Sequence, residues 1–241
     1  MIPRFLNGRN RPKAASPYQF DTIVSLGFNC EVSFRIRDHL NGHLDSYPYS
    51  WCYVYGDADL TDCLEHPERI LSGNVELLPN GMLRCSTCHL AFHGKKPHEL
   101  LWNENGSPNQ EQLDMTIAEL RARQSHLQDK LRWLLNDGSK STLFLLKNAK
   151  IAFDPQGAVD DIRRLSRFLE RHYLGGHYLL VVVVEAHFLT SRLRRLENAH
   201  LVFRPVQHFA KEGKAQSGSD FEGWNAIFQE FDPDKHPLSH T

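Results

Sequence analysis

The sequence predicts a three-layer α/β fold in which a mostly parallel sheet is flanked by helices. Short apolar segments alternate along the chain with amphipathic helical segments, which is typical of parallel strands joined by crossover helices. Residues 178–184 (YLLVVVV) are apolar throughout, as expected for a strand covered on both faces. The 241 residues, 41% of them hydrophobic, suffice for a substantial core. We therefore expect one α/β domain over residues 21–241, preceded by a basic segment, residues 1–20, that we expect to be flexible.

The first predicted unit is a strand, a tight turn and a helix. Residues 21–26 (DTIVSL) form a short apolar run that ends at Gly27, which predicts a buried strand. Val32, Ile36 and Leu40 then recur at helical spacing, and Asn-Gly at 41–42 ends the helix. Residues from about 43 to 105 are rich in Pro, Cys, His and aromatic residues without such periodicity. We predict an irregular insert there, with one short helix near 59–71, which caps the active edge of the sheet.

Regular patterning returns after the insert. Leucines from 113 to 134 mark one face of a long helix that ends at 136–138. The predicted elements that follow are a strand at 142–147, a helix at about 158–173, a strand at 178–184, a short helix within 188–196, a strand at 201–203 and a last helix around 224–231. Ligands bind outside the carboxyl ends of strands in such sheets. Residues 27–30, 147–150, 185–187 and 205–209 should therefore meet at one edge.

Composition excludes some functions. The chain has 28 Lys+Arg against 29 Asp+Glu, a net charge of −1, which argues against binding nucleic acid by neutralising phosphates. The longest apolar run is far shorter than the roughly 20 residues that span a bilayer. Five cysteines and an N-terminus without a secretory apolar stretch predict a cytoplasmic protein with free thiols.

Cys30 is the strongest candidate for chemistry. It lies where the first strand turns into the first helix, with Asn29 as the expected N-cap. Unpaired amide groups at a helix N-terminus stabilise an anion, so we expect a lowered pKa for this thiol. Gly27 should allow a sharp turn that exposes the sulfur. The alternative is a small buried residue that packs the junction between strand and helix.

Three motifs occur in order along the chain: Ser-Leu-Gly-Phe-Asn-Cys at 25–30, Tyr-Pro-Tyr-Ser-Trp at 47–51 and Phe-His at 92–93. They resemble a family, found largely in bacteria, of papain-like cysteine peptidases of otherwise unknown function. The resemblance implies Cys30 as the nucleophile and His93 as a base. The chain has Tyr49-Ser50 where the family pattern has Phe-Asp, so a role of that Asp is vacant here or taken by a neighbour such as Asp45. The alternating strands and helices predict no separate β-barrel of the papain type.

The topology also resembles that of the SGNH/GDSL hydrolases, which have a Rossmann-like, three-layer arrangement of helices around a sheet. Their nucleophile follows the first strand and their histidine precedes the last helix, which implies Cys30 and His208 here. The resemblance implies that Asn148 supplies an oxyanion-hole amide. Independently of it, we expect backbone amides near Cys30, with Asn29 in support, to hold the oxyanion. His208 and Asn148 could equally be a surface histidine and a turn residue.

Cys85-Ser86-Thr87-Cys88-His89 has the spacing of several cysteine sites. Haem attachment, a thioredoxin-like dithiol and a zinc site all fit it in part, and His93, His98 or Cys63 could complete a zinc site. Because a second Cys-x-x-Cys is absent, we expect structural thiols and no cofactor, with zinc at Cys85, Cys88 and His89 as the alternative.

We therefore expect a cysteine hydrolase that cleaves an amide or an ester by acyl transfer, with Cys30 as the nucleophile and His93 or His208 as the base. One alternative is an acyltransferase that acts on a glycan or another acceptor. Another is a non-enzymatic binding module with a zinc-stabilised insert. The expected substrate is a small molecule, a peptide or a glycan.

Overall fold

The computed structural model describes residues 20–54, 59–94, 98–211, 214 and 217–231. The predicted fold class is confirmed: a parallel sheet lies between helices, and a second, antiparallel sheet is added to it. The predicted basic N-terminal segment lies outside the described residues, except for Phe20.

The regular elements of the described residues are numbered in chain order. The strands are β1 (Thr22–Ser25), β2 (Cys52–Val54), β3 (Val75–Leu77), β4 (Met82–Cys85), β5 (Leu90–His93), β6 (Ser141–Lys147), β7 (His177–Glu185) and β8 (Leu201–Val206). The α-helices are α1 (Glu31–His39), α2 (Leu60–Glu65), α3 (Gln110–Asn136), α4 (Pro155–His172), α5 (Ser191–Arg194) and α6 (Phe221–Phe231). Short 3₁₀ helices span Pro67–Arg69, His98–Leu101, Lys150–Ala152 and Ala186–Phe188.

The parallel sheet has the strand order β1-β6-β7-β8. Successive residues of a strand point to opposite faces, so each central strand supplies two cores. Leu179, Val181 and Val183 pack with α1 and α6, whereas Leu180 and Val182 pack with α3, α4 and the insert. This burial on both faces explains why β7 is apolar throughout.

The insert is more regular than the sequence predicts. Its strands form an antiparallel sheet with the order β2-β5-β4-β3, so the prediction of an irregular segment is wrong. Each of these strands has only three or four residues, which is too short for an alternating pattern to stand out. Leu83, Leu90 and Phe92 pack into the same core as α3 and α4. The insert is thus part of the main hydrophobic core.

Helix starts and strand ends follow local chemistry. The side chain of Asn109 accepts a hydrogen bond from the backbone of Gln112 and begins α3, and Asp154 caps α4 with Pro155 in its first turn. The last strand extends beyond the predicted 201–203 to Val206 and includes Pro205. Proline is tolerated there because β8 is an edge strand. No helix of the described residues is long and apolar enough to cross a membrane.

The fully buried side chain of Leu180 provides a test of the central packing. We expect Leu180→Ala to lower the free energy of unfolding by about 2–5 kcal/mol, because it leaves a cavity in a core closed on all sides. Leu174→Ala is the control, because Leu174 is 65% exposed, and it should change the stability by less than about 0.5 kcal/mol. Urea unfolding of both variants measures the difference, and equal effects would contradict the assignment of the core.

Candidate functional site

A pocket lies at the carboxyl edge of the parallel sheet. The predicted meeting of four segments is confirmed, because residues that follow β1, β6, β7 and β8 all line it. The insert adds Tyr53, and the cavity has a volume of about 270 Å³. We call it the edge pocket; its lining residues are Phe28, Asn29, Tyr53, Lys147, Asn148, Ala149, Ile151, Ala152, Glu185, Phe188, Phe209, Ala210 and Lys211.

The turn after β1 has an unusual backbone. Gly27 has φ +87° and Phe28 has φ +80°, so two successive residues adopt left-handed conformations. A side chain at Gly27 would approach the carbonyl oxygen of Tyr49 to 3.0 Å and the sulfur of Cys52 to 3.3 Å. The turn therefore needs glycine for both conformation and space. At Phe28 the same conformation is strained, and such strain is concentrated at functional sites.

Two asparagines line the edge pocket from neighbouring strands. The side-chain oxygen of Asn29 accepts the backbone N–H of Glu31 at 3.0 Å, and that of Asn148 accepts the backbone N–H of Ile151 at 3.2 Å. The expected N-cap is wrong by one residue: Cys30 occupies the N-cap position of α1, and Asn29 precedes it. Neither side-chain NH₂ group donates to a partner among the described residues. Both groups can therefore donate to a ligand in the pocket.

A buried ion pair includes Lys147, which also lines the edge pocket. Lys147 Nζ is 2.7 Å from Glu31 Oε2, and the two side chains are 3% and 0% exposed. The same carboxylate accepts the backbone N–H of Ala210 at 3.1 Å and the indole N–H of Trp224 at 3.2 Å. Burial lowers the pKa of Lys147, and the charge of Glu31 opposes this effect. The pair was missed by the sequence reasoning, because the two residues lie 116 positions apart and each is unremarkable in its own segment.

Glu185 holds the segment that follows β8. Its carboxylate accepts the backbone N–H of Phe209 at 2.8 Å and lies 3.7 Å from the ring of His187. The ring of Phe209 lies 4.4 Å from Lys147 Nζ. His208 follows β8, as the topology predicts, but its side chain is exposed and does not line the edge pocket.

Cys30 is less accessible than the sequence predicts. Its side chain is only 7% exposed, and it does not line the edge pocket although the two preceding residues do. Burial raises the pKa of the Cys30 thiol to about 11, which outweighs the lowering effect of its own backbone amide. The expectation of an exposed sulfur with a lowered pKa is therefore wrong. Cys52 of β2 lies against the same turn, with its sulfur 3.3 Å from where a side chain at Gly27 would begin.

Neither candidate histidine forms a hydrogen bond with Cys30 in the described part of the chain. His93 ends β5, next to Phe92, whose register partner is Cys52. Its ring is exposed, and the partial loss of solvent around it lowers its pKa. The structure thus places His93 on the strand that pairs with β2, whose Cys52 lies against the turn before Cys30, and His208 in the segment after β8.

The Cys-x-x-Cys-His motif forms the turn between β4 and β5. The thiol of Cys63 donates to the carbonyl oxygen of Cys88 at 4.0 Å, the thiol of Cys85 lies 3.6 Å from the carbonyl oxygen of Ser72, and all three cysteines are buried. His89 is exposed and turns away with φ +54°, and no group of three or more metal ligands is arranged to hold an ion among the described residues. The motif does not open a helix, so the thioredoxin-like alternative is wrong.

Ser50 stands where the family pattern has Asp, and it holds a loop. Its hydroxyl oxygen accepts the backbone N–H of Tyr47 at 2.9 Å, and its carbonyl oxygen accepts the hydroxyl of Ser33 on α1. Asp45 is hydrogen-bonded to Lys130 of α3. These contacts fasten the insert to α1 and α3, and neither side chain orients a histidine.

Comparisons of the chain with protein-family models, with curated proteins and with solved structures find no match. A function for this chain is therefore inferred from its fold and from the edge pocket.

The buried ion pair can be tested by removing one charge or both. Glu31→Gln or Lys147→Met alone should lower the free energy of unfolding by about 3–5 kcal/mol, because each leaves an uncompensated buried charge. The double variant should be more stable than the sum of the two losses predicts. Urea unfolding of the four proteins gives the coupling energy, and strict additivity would contradict this role of the pair.

The burial of Cys30 predicts slow alkylation near neutral pH. With a pKa of about 11, roughly one sulfur in a few thousand is ionised at pH 7.5, so iodoacetamide should modify Cys30 far more slowly than a free cysteine. The rate should rise steadily towards pH 11. Mass spectrometry of the Cys30 peptide measures it, with urea-unfolded protein as the control. Fast modification that levels off below pH 7 would contradict the raised pKa.

Proposed function

We propose that this chain is an acyl-transfer enzyme of the cysteine hydrolase type, with Cys30 as the nucleophile and a substrate carbonyl bound in the edge pocket. The observation that carries the proposal is the turn after β1. It sets Asn29 in the wall of the pocket and Cys30 at the N-cap of α1, directly behind that wall. The position at the carboxyl edge of a parallel sheet is where ligands bind in this fold class.

The two asparagines support the proposal. A carbonyl oxygen that becomes negatively charged during acyl transfer is stabilised by donors that are already in place. The NH₂ groups of Asn29 and Asn148 are such donors, because their oxygens hold the side chains in place within their own turns. The buried ion pair joins the start of α1 to the end of β6, and Asn29 and Asn148 lie next to these two ends.

The proposed reaction proceeds through a thioester. The sulfur of Cys30 bonds to the carbonyl carbon of an ester or amide, the thiol proton passes to His93 or His208, and that histidine returns it to the leaving alcohol or amine. Water then cleaves the thioester in a hydrolase, whereas a hydroxyl group of a glycan accepts the acyl group in a transferase.

Because the pKa of Cys30 is raised, this reaction requires a base that removes the thiol proton. The thiol is protonated in the free protein, so a histidine must approach it when substrate is bound. Catalytic hydrogen bonds are often long in unliganded enzymes and tighten only in the complex. The Gly27–Phe28 turn is the part of the chain whose relaxation would bring the sulfur towards the pocket.

A second candidate function is ligand binding without chemistry. It is favoured by the burial of Cys30, which has no hydrogen bond to a histidine in the described residues. The edge pocket would then hold a small polar ligand, and the thiol would only pack the junction between β1 and α1.

Substitution of Cys30 separates the two functions. With p-nitrophenyl butyrate as the probe, Cys30→Ala should lower the rate of turnover by at least about 1,000-fold, because no thioester can form. Cys63→Ala is the control, since it removes another buried thiol on a different element, and it should retain turnover. Mass spectrometry should find the butyryl group on Cys30 of the unsubstituted protein. His93→Gln and His208→Gln identify the base, because only one should abolish turnover. Full turnover by Cys30→Ala would rule out the proposed function.

A further inference from the structure

An apolar recess adjoins the edge pocket. It lies between the carboxyl ends of β1 and β6 and the helices α2 and α4. Its cavity volume is about 50 Å³, far smaller than that of the edge pocket. The apolar side chains that line it are Leu26, Phe28, Val54, Leu60, Leu146 and Leu165.

The recess and the edge pocket share part of their walls. Phe28, Lys147 and Asn148 line both, so the two cavities meet at the turn after β1 and at the end of β6. One ligand can therefore place a polar group beside the asparagine amides and an apolar group in the recess. The strained conformation of Phe28 sets its side chain at this junction.

The recess provides apolar contact without an available charge. Thr61, Lys150 and Asp161 also line it, but the ammonium group of Lys150 lies 2.8 Å from the carboxylate of Asp161, so these two charges neutralise each other. Lys147 is neutralised in the same way by Glu31. The part of a ligand that enters the recess is therefore uncharged and apolar.

The volume limits the length of that apolar part. A site needs about 10–15 Å³ by this measure to hold one water molecule, and a methylene group is of similar size. At about 15 Å³ for each group, a cavity of about 50 Å³ holds about three of them, which with the carbonyl carbon make an acyl chain of about four carbons. It is too small for a benzene ring, which occupies a cavity of about 150 Å³.

We infer that the substrate carries a short, straight acyl chain of at most about four carbons, which lies in the recess while its carbonyl group lies in the edge pocket. This inference rests on the proposed function for the identity of the reacting group. It names short-chain esters or amides, such as acetyl, propionyl or butyryl derivatives, as the substrate class. Longer acyl chains and aromatic acyl groups are too large for the recess.

Binding of simple carboxylates tests the inference without chemistry. Acetate, propionate, butyrate, hexanoate and octanoate are titrated into the Cys30→Ala protein and followed by calorimetry. Affinity should rise about four-fold with each methylene group up to butyrate, because each one leaves water for an apolar wall. It should then stop rising. An affinity that keeps increasing to octanoate, or no binding of any of these acids, would overturn the inference.

Leu60 provides the matched variants. It lies at the start of α2, is only partly buried and lines the recess, so a larger side chain can fill the cavity from its rim. Leu60→Phe should abolish the rise in affinity from acetate to butyrate, and Leu60→Ala should extend it to longer acids. Leu64→Phe on the same helix is the control, because Leu64 is also partly buried but does not line the recess. Equal effects of Leu60→Phe and Leu64→Phe would overturn the inference.

The two proposals fail separately in these experiments. Chain-length dependence is read from binding to Cys30→Ala, whereas the nucleophile is read from turnover and from the butyryl group on Cys30. If Cys30→Ala shows the expected chain-length dependence of binding and unchanged turnover, Cys30 is not the nucleophile, but the recess still binds the acyl chain. If turnover requires Cys30 but affinity does not depend on chain length as expected, the recess does not bind the acyl chain, whereas Cys30 remains the nucleophile.

Discussion

The carboxylate of Glu31 joins four parts of the chain at the carboxyl edge. It belongs to α1 and receives hydrogen bonds from Lys147 of β6, from Ala210 after β8 and from Trp224 of α6. Burial of two charges is costly, and only complete pairing offsets the cost. A shift of α1 or β6 would break the ion pair, and a shift of α6 or of the segment after β8 would remove a hydrogen bond from the buried carboxylate. The edge pocket therefore lies on a rigid support.

The turn after β1 depends on this support. With α1 held in place, Gly27 and Phe28 must complete the connection in two left-handed residues, and the strain at Phe28 is stabilised by the packing around it. The same close packing brings Tyr49 and Cys52 of the insert against the turn. One arrangement thus has two effects: it directs Asn29 into the pocket, and it buries the sulfur of Cys30.

These effects divide the site into parts with different chemistry. The edge pocket contains amide donors and exposed polar groups, the recess beside it is apolar, and the thiol lies behind the wall in a dry environment. A dry thiol is protonated and unreactive until a base approaches it, which would protect it from oxidation in the free protein. A substrate that fills both cavities would displace the water that competes for the asparagine amides.

Local pattern alone determined the parallel sheet, its helices and the four segments at its edge. Apolar runs such as that of β7 and the leucine spacing of α3 repeat over many residues, and parallel strands leave little choice about where their carboxyl ends meet. The antiparallel strands of the insert, the pairing of Glu31 with Lys147 and the burial of Cys30 were decided only by the tertiary structure. Each depends on contacts between residues far apart in the chain. The pKa of a thiol is set by the solvent and charges around it, and at Cys30 the burial that raises the pKa exists only in the folded chain.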